Sequence, residues 1–232
     1  MSIKFENVIT PFPEQWRSII LGARNAMNSW KKSDSRYIAP RGGVPAPVIF
    51  QIGQNDHDLM MRLVKTGTDH RKFMRMITVY VDITAPLYWW KEFDTYRVGV
   101  EKNSCSTMHK IAEKKFTLED FSTEHLFNRY GDPSMNLNYA DKYPKEIMLD
   151  LIRILNHFRE WYLKTKDKKY WWQMIQLLPS SYNQKRTVMM NYEVLANIYK
   201  SRKNHKLDEW SIGFMDWIKT LPCSELITEK EK

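Results

Sequence analysis

Few residues of this 232-residue chain have the types and spacing that catalysis by side chains requires. The cysteines, Cys105 and Cys223, stand far apart and match neither a metal site nor a disulfide framework. Cys105 could act as a nucleophile, but no base is demonstrably placed beside it, so an inert buried thiol is favoured. The run Arg41-Gly42-Gly43 could lie near a phosphate, although its composition favours a plain turn. The sequence contains no P-loop, nucleophile elbow or Ser-His-Asp set, so side chains alone identify no reaction.

The formal net charge of +9 indicates partners that carry phosphate, such as nucleotides or nucleic acid. The lysines are scattered, and one group of them is more typical of a solvated loop than of a recognition surface: Lys164, Lys166, Lys168 and Lys169. Nucleic acid is therefore a less favoured partner than a nucleotide. No run approaches the ~20 apolar residues of a membrane span, and the N-terminus has no apolar run typical of a signal peptide, so we expect a cytoplasmic protein without a membrane partner.

The elements that must position any site form a mixed pattern. Apolar alternation predicts strands over residues 3–10 and 73–83, and residues 29–47 are predicted to be a loop. Helical spacing predicts helices over 13–28, 55–66, 87–96, 116–130, 144–164, 170–178, 187–202 and 208–219. The pattern predicts an α+β fold, with one domain over 1–224 and a charged tail over 225–232.

A recognisable signature lies between residues 95 and 109. It consists of Thr95-Tyr96-Arg97 and then, after a short gap, Asn103-Ser104-Cys105-Ser106-Thr107-Met108-His109. This segment resembles the signature of flavin-dependent thymidylate synthases, the ThyX family, which runs Arg-His-Arg, a gap, and Asn-Glu-x-Ser-x-Arg-Tyr. The matching residues are Arg97, Asn103 and Ser106. The positions that differ are Thr95, Tyr96, Ser104 and Met108.

Two further segments resemble the same family. Leu178-Pro179 precedes the run 191–197, as Leu-Pro precedes Asn-Ala-Arg-Ser-Leu in the family. The matching residues there are Asn191, Leu195, Asn197 and Arg202, whereas Glu193 replaces a family arginine. Asp69-His70 resembles the Gly-His pair that precedes the family's long strand.

The resemblance implies a reaction as well as a fold. ThyX enzymes methylate dUMP reductively with FAD, and they use NADPH as reductant and methylenetetrahydrofolate as one-carbon donor. The cofactor carries the difficult step in such a reaction, so no protein nucleophile is needed. The implied architecture is a central antiparallel sheet wrapped by helices, in a homotetramer with active sites at subunit interfaces.

The resemblance also implies roles for individual residues. The cofactor-binding residues would be His70, Arg97, Asn103, Asn191 and Asn197. The substrate-binding residues would be Ser104, Ser106 and Arg202, and neither a catalytic side chain nor a metal ligand is expected. The flavin would lie between Arg97 of one subunit and the helix of Asn191 in a neighbour.

Several replacements leave alternatives open. Met108 stands where the family has a nucleotide-binding arginine, and a second arginine is missing at Ile175 or Gln176. The cations that could compensate are Lys185, Arg186 and His109. Two alternatives to an active enzyme remain: a catalytically degenerate nucleotide- or flavin-binding protein on the same fold, or a basic nucleic-acid-binding protein.

Overall fold

The computed structural model describes residues 3–38, 49–128 and 142–228. The helices in these ranges are α1 (Pro13–Arg24), α2 (Gln54–Thr66), α3 (Leu87–Phe93), α4 (Thr107–Lys110), α5 (Pro144–Thr165), α6 (Lys168–Leu177), α7 (Tyr192–Arg202), α8 (Met215–Lys219) and α9 (Glu225–Thr228). The strands are β1 (Lys4–Ile9), β2 (Arg36–Ile38), β3 (Ile49–Gln51), β4 (Thr78–Pro86), β5 (Val100–Ser104) and β6 (Asn183–Asn191). The predicted turn at Arg41-Gly42-Gly43 lies outside the described residues.

A four-stranded sheet has the order β1-β4-β6-β5, and β2 and β3 pair as a separate antiparallel hairpin. The alternation along β4 explains its central place: Val79, Val81 and Ile83 are buried, whereas Tyr80 between them is exposed. Because side chains alternate between the two faces of a strand, this pattern fixes which face of β4 joins the core. Helices together with an antiparallel sheet confirm the predicted α+β class.

Two predicted elements begin later than their sequence pattern indicated. The predicted strand over 73–83 starts at Thr78, because Lys72–Met76 forms a 3-10 turn that buries Phe73 and Met74. The predicted helix over 187–202 was wrong in its first part, which belongs to β6. Pairing with β4 decides the conformation there, and the helix begins only after Asn191.

Two other predictions were wrong in type. The predicted helix over 116–130 is reduced to the 3-10 turn Leu118–Asp120 in its described part, because Asp120 accepts a hydrogen bond from the backbone of Thr117 (2.8 Å) and closes a local cap. The predicted loop over 29–47 contains β2, whose residue Tyr37 pairs with Phe50 of β3.

The described chain divides into two compact units. The first comprises Met1–Lys4, Ile83–Thr95 and Asn103–Arg186. Its core includes Phe116, Phe121, Ile152, Leu155 and Met174. Asn156 is buried beside this core, where its side-chain amide donates to and accepts from the backbone of Phe116 at 2.8 and 2.9 Å. Both polar ends of the buried amide are satisfied, so α5 is fixed against the segment before it.

The second unit comprises Phe5–Asp82, Tyr96–Lys102 and Thr187–Lys232. A buried ion pair joins Arg24 at the end of α1 to Asp56 in the first turn of α2. Ser33 and Ser35 donate side-chain hydrogen bonds to the same carboxylate, at 2.8 and 2.6 Å. A buried carboxylate with this many donors holds the loop after α1 against α2.

The start of the predicted charged tail needs correction. Glu225–Thr228 forms α9, in which Leu226 and Ile227 are buried. Leu226 and Ile227 are flanked by charged residues in sequence, and α9 packs against α7 in the second unit. The charged tail therefore does not begin at residue 225.

Candidate functional site

The eight predicted site residues are divided between the two units. The second unit holds His70, Arg97, Asn191, Asn197 and Arg202. The first unit holds Asn103, Ser104 and Ser106. Each group has its own surroundings within its unit.

The loop that carries Arg97 packs against the start of α7 within one chain. Asn191 is the N-cap of α7, and its Oδ1 accepts a hydrogen bond from the backbone N–H of Val194 (3.1 Å). A Cβ placed on Gly99 would lie 3.0 Å from Nδ2 of Asn191 and 3.1 Å from Cγ2 of Val194. Gly99 also has a φ of +73°, so the close approach requires glycine. Arg97 is exposed two residues before it.

A buried ion pair ties the His70 segment to the same helix start. Arg71 donates through Nε and Nη2 to the two carboxylate oxygens of Glu193, at 2.9 and 3.1 Å. Both residues are buried, and Glu193 lies in the first turn of α7. The two-pronged geometry suits a guanidinium, which has parallel donors that a lysine lacks. Glu193, which replaces the family arginine, is therefore a structural partner of Arg71. His70, next to Arg71 in sequence, is exposed.

Arg202 is held by two aromatic rings. Its Nε donates to the hydroxyl of Tyr96 (3.0 Å), and its guanidinium carbon lies 5.3 Å from the ring centroid of Trp210. The Tyr96 ring is also within 5.7 Å of the guanidinium. Tyr96, which stands in place of the signature histidine, thus positions the matched arginine at the end of α7.

The first unit contains a cavity of about 350 Å³ that we name the lysine pocket. Its lining residues include four lysines and two carboxylates: Lys4, Lys110, Lys114, Lys185, Glu119 and Asp120. Ser106, Cys105 and Tyr182 line it as well. Lysine side chains outnumber carboxylates in this wall, so the pocket favours an anionic ligand.

Hydrogen bonds to β6 position Cys105 in the pocket, and Ser106 follows it as the N-cap of α4. The backbone N–H of Cys105 donates to the carbonyl of Lys185 (3.0 Å), and Gln184 Nε2 donates to the carbonyl of Cys105 (3.0 Å). Ser106 Oγ accepts a hydrogen bond from the backbone N–H of His109 (3.1 Å). That bond uses a lone pair and leaves the hydroxyl hydrogen able to donate to a ligand. Cys105 is exposed, which corrects the prediction of a buried thiol.

A phenol and two lysines complete the polar wall. Burial raises the pKa of the Tyr182 hydroxyl, with smaller contributions from Asp120 and Cys105, so it is a neutral donor at pH 7. Lys110 pairs with Glu113, and Lys114 with Asp120. The Lys110–Glu113 pair is exposed and contributes little, so the Lys110 ammonium can reorient toward a bound anion. Lys114 is exposed as well, but its partner Asp120 is largely covered.

The three cations expected to compensate for the missing arginines have different positions. Lys185 lines the lysine pocket. Arg186 instead donates to Asp94 (2.9 Å) and stacks over Trp90 at 4.3 Å from the ring centroid. His109 is exposed and is absent from the described lining of the pocket. Of the three, only Lys185 is therefore placed to bind an anion there.

Sequence reasoning missed Lys4, Lys110 and Lys114. Lys110 and Lys114 stand four residues apart directly after the signature, so a concentration of positive charge at this point was visible in the sequence. Lys4 carried no signal, because only the pairing of β1 with β4 brings it to the pocket. Asn103 and Ser104 end β5 and are exposed, but neither is among the described residues that line the pocket.

Neither a metal-binding cluster nor a membrane-spanning helix is found among the described residues. Within the described ranges, no group of three or more His, Cys, Asp or Glu residues is arranged to hold a metal ion. No helix in the described part of the chain has the length and apolar character needed to cross a membrane.

Two crystal structures of the thymidylate synthase ThyX from Helicobacter pylori, both with FAD and dUMP, share this fold. One has 15% sequence identity and a TM-score of 0.62, and the similarity covers 97% of this chain and 95% of that one. The other has the same identity and TM-score and covers 98% and 97%. No protein-family model and no curated protein sequence matches the chain. The resemblance seen in the partial motifs is thus confirmed at the level of the fold.

Proposed function

We propose that this chain is a flavin-dependent, thymidylate synthase-like enzyme. Its substrate would be dUMP or a related pyrimidine nucleotide, with FAD as cofactor and with methylenetetrahydrofolate and NADPH as co-substrates. We further propose that it acts as a homotetramer. The observation that carries the proposal is the lysine pocket, because a serine matched from the signature lies in a cavity suited to phosphate, on a ThyX-like fold.

The phosphate of the nucleotide would bind in the lysine pocket. Ser106 can donate its hydroxyl hydrogen, and Lys110 and Lys185 can supply charge that the missing arginines do not. Ammonium groups bind phosphate as point charges without the planar geometry of a guanidinium. The pocket thereby offers a substitute for the family's arginines. Ser104 and Arg202 remain proposed substrate contacts.

The second unit offers a donor set that suits a flavin. Arg97 and His70 are exposed on segments fixed against the start of α7, and Asn197 is exposed on that helix. Guanidinium, imidazole and amide donors suit ring carbonyls and a pyrophosphate. Asn191 completes this set. Asn103, in the first unit, remains a separate proposed cofactor contact. When bound, FAD would supply hydride transfer, while these residues hold and orient it.

Two measurements on the purified protein test the proposal. We expect the visible absorption band of an oxidised flavin, either as isolated or after FAD is added and unbound cofactor is removed. We also expect tritium release from dUMP labelled at C5 when the folate and NADPH are supplied. A protein that stays colourless with excess FAD would refute the proposal.

Charge removal tests the lysine pocket directly. We predict that the double variant Lys110→Gln/Lys185→Gln binds dUMP at least tenfold more weakly, because a charge-assisted hydrogen bond contributes about 1.5–3 kcal/mol. The matched control is Lys31→Gln/Lys32→Gln, which removes the same charge from an exposed 3-10 turn of the second unit. Titration calorimetry with dUMP measures both variants. Equal affinities in the two variants would exclude the pocket as the phosphate site.

A second candidate is a nucleotide- or flavin-binding protein that has lost catalysis. The hydrogen bonds between Arg71 and Glu193 favour this candidate, because Glu193 replaces a family arginine and stabilises the fold instead. This candidate predicts flavin or dUMP binding without tritium release. Robust release eliminates it, and binding without release establishes it.

A further inference from the structure

The connection between α5 and α6 forms a feature that we name the aromatic-lysine tip, residues 161–172. Only Lys166 and Asp167 separate the two helices, and Lys166 takes the left-handed conformation that ends α5. Because the two helices pack together, the connection is the end of a helical hairpin. The tip lies wholly in the first unit and contains none of the residues of the lysine pocket.

Five aromatic rings of the tip lie beneath lysine ammonium groups. Lys164 lies 5.5 Å from the ring centroid of Trp161, and Lys166 lies 5.9 Å from that of Tyr162. Lys168 lies over both Trp171 and Trp172, and Lys169 lies over Tyr170 at 4.9 Å. Lys164 lies in α5, and Lys168 and Lys169 lie in α6, so the run is mostly helical, which corrects its interpretation as a loop. The four lysines are solvent-exposed, as expected, and their ammonium groups lie over aromatic rings.

Most of the positive charge of the tip is uncompensated. Asp167 caps α6 through the backbone N–H of Lys169 and pairs with the ammonium of the same residue at 3.1 Å. Within the described part of the chain, no carboxylate forms a salt bridge with Lys164, Lys166 or Lys168. Three ammonium groups are thus available to an anionic partner.

Large apolar groups are exposed among these charges. Trp161, Leu163 and Trp172 retain 39%, 38% and 43% of their accessible surface. Lysines with exposed tryptophan and leucine at one end of a hairpin resemble an interfacial anchor, in which rings lie at headgroup level and ammonium groups reach the phosphates.

We propose that the aromatic-lysine tip binds the surface of an anionic phospholipid bilayer without crossing it. Charge complementarity favours this partner: three uncompensated lysines face outward around apolar groups that can enter the headgroup region. Single-stranded nucleic acid fits less well. Bases stack on open ring faces, whereas lysines of the same chain lie over the exposed rings of Trp161 and Trp172. The proposal does not depend on the enzymatic one, since it uses other residues.

Vesicle co-sedimentation of the full chain tests it. We expect binding to vesicles that contain about one third phosphatidylglycerol, with little binding to pure phosphatidylcholine and a decrease as salt is raised. The triple variant Lys164→Gln/Lys166→Gln/Lys168→Gln should bind on the order of a hundredfold more weakly. The variant Trp161→Ala/Trp172→Ala should also bind more weakly, although its charge is unchanged.

The matched control is Lys200→Gln/Lys203→Gln/Lys206→Gln. It removes equal charge from the second unit, including one lysine that lies over a tyrosine ring at 5.9 Å. We expect this control to retain binding, and circular dichroism confirms that each variant is folded. If the tip and control variants lost vesicle binding equally, the binding would depend on net charge alone, and the proposal would be overturned.

Three other results would also overturn it. The first is absence of wild-type binding to anionic vesicles at low salt. The second is binding of a single-stranded oligonucleotide that depends on the tip while vesicle binding does not. The third is a change of oligomeric state in the tip variants, which would make the tip a contact between copies of the chain.

Discussion

The ion pair between Arg71 and Glu193 can be tested directly, because one substitution, Glu193→Arg, restores the arginine that the ThyX family has at this position of the 191–197 segment. Glu193→Arg would place a second guanidinium against Arg71 in a site where the two side chains are 5% and 10% exposed. Removing one partner of a buried pair typically costs about 3–5 kcal/mol, and the added like charge increases that cost. Because domains are stable by only about 5–15 kcal/mol, the variant should lose a large part of its stability.

Thermal unfolding followed by circular dichroism measures this loss. For a chain of this length, 1 kcal/mol corresponds to roughly 2–4 °C in Tm, so Glu193→Arg should lower Tm by about 6–20 °C. The reversed pair Arg71→Glu/Glu193→Arg should recover part of the loss, since it restores opposite charges. The control Glu160→Arg makes the same charge change at an exposed position of α5 and should change stability by less than about 0.5 kcal/mol.

Two results would refute this reasoning. The first is a Tm for Glu193→Arg within about a degree of the wild type, which would mean that the pair contributes nothing. The second is a reversed pair no more stable than Glu193→Arg, which would mean that the loss is steric and not electrostatic.

Three further predictions concern backbone strain, thiol access and acid stability. Gly99→Ala should destabilise the protein by about 1–2 kcal/mol or more in urea unfolding, because a side chain there has a strained φ and also contacts Asn191 and Val194. Gly67→Ala tests strain without a contact, since a Cβ there has nothing within 4 Å, but at a backbone conformation (φ +111°, ψ −179°) that carries its own, glycine-specific cost. An aromatic disulfide reagent at pH 8 should label the exposed Cys105 faster than Cys223, which is only partly exposed and whose pKa is raised to about 12 by burial and, less strongly, by the Glu225 carboxylate. Equal labelling rates for the two thiols in the native protein would contradict this. Burial raises the pKa of Asp56, but hydrogen bonds from its serine and arginine partners outweigh burial and lower the pKa below 3.8. The stability that Asp56 contributes is therefore present above pH 3.8 and is lost as the pH falls through the lowered pKa. Asp56→Asn should flatten this acid dependence, and an unchanged pH profile would exclude Asp56 as its origin.

The sequence predicted those elements whose periodicity is unmixed. α5 was predicted almost to its observed bounds, because its apolar residues recur at helical spacing over many turns. The second half of β6, from residue 187, was predicted as a helix, because residues 187–190 have no strict alternation and continue directly into a real helix. Pairing with β4 decided the conformation there, and a partner distant in sequence leaves no local signal.

The candidate site shows the same division. Ser106 and Arg97 could be named from the signature, since motif order and spacing are written in the chain. The partner of Glu193 could not, because Arg71 is distant in sequence and meets it only when the segment after α2 packs against α7. Lys4 reached the lysine pocket in the same way, through strand pairing.

By itself, the sequence determined the fold class, the family resemblance and a subset of candidate residues, because periodicity and motifs depend on residues close together in the chain. Tertiary structure decided which charges are used internally, as at Arg71 and Arg186, and which face a cavity or solvent, as at Lys185 and Lys164. The physical reason is that the free energy of a charged side chain depends on its neighbours in space and on its burial, and folding alone sets both.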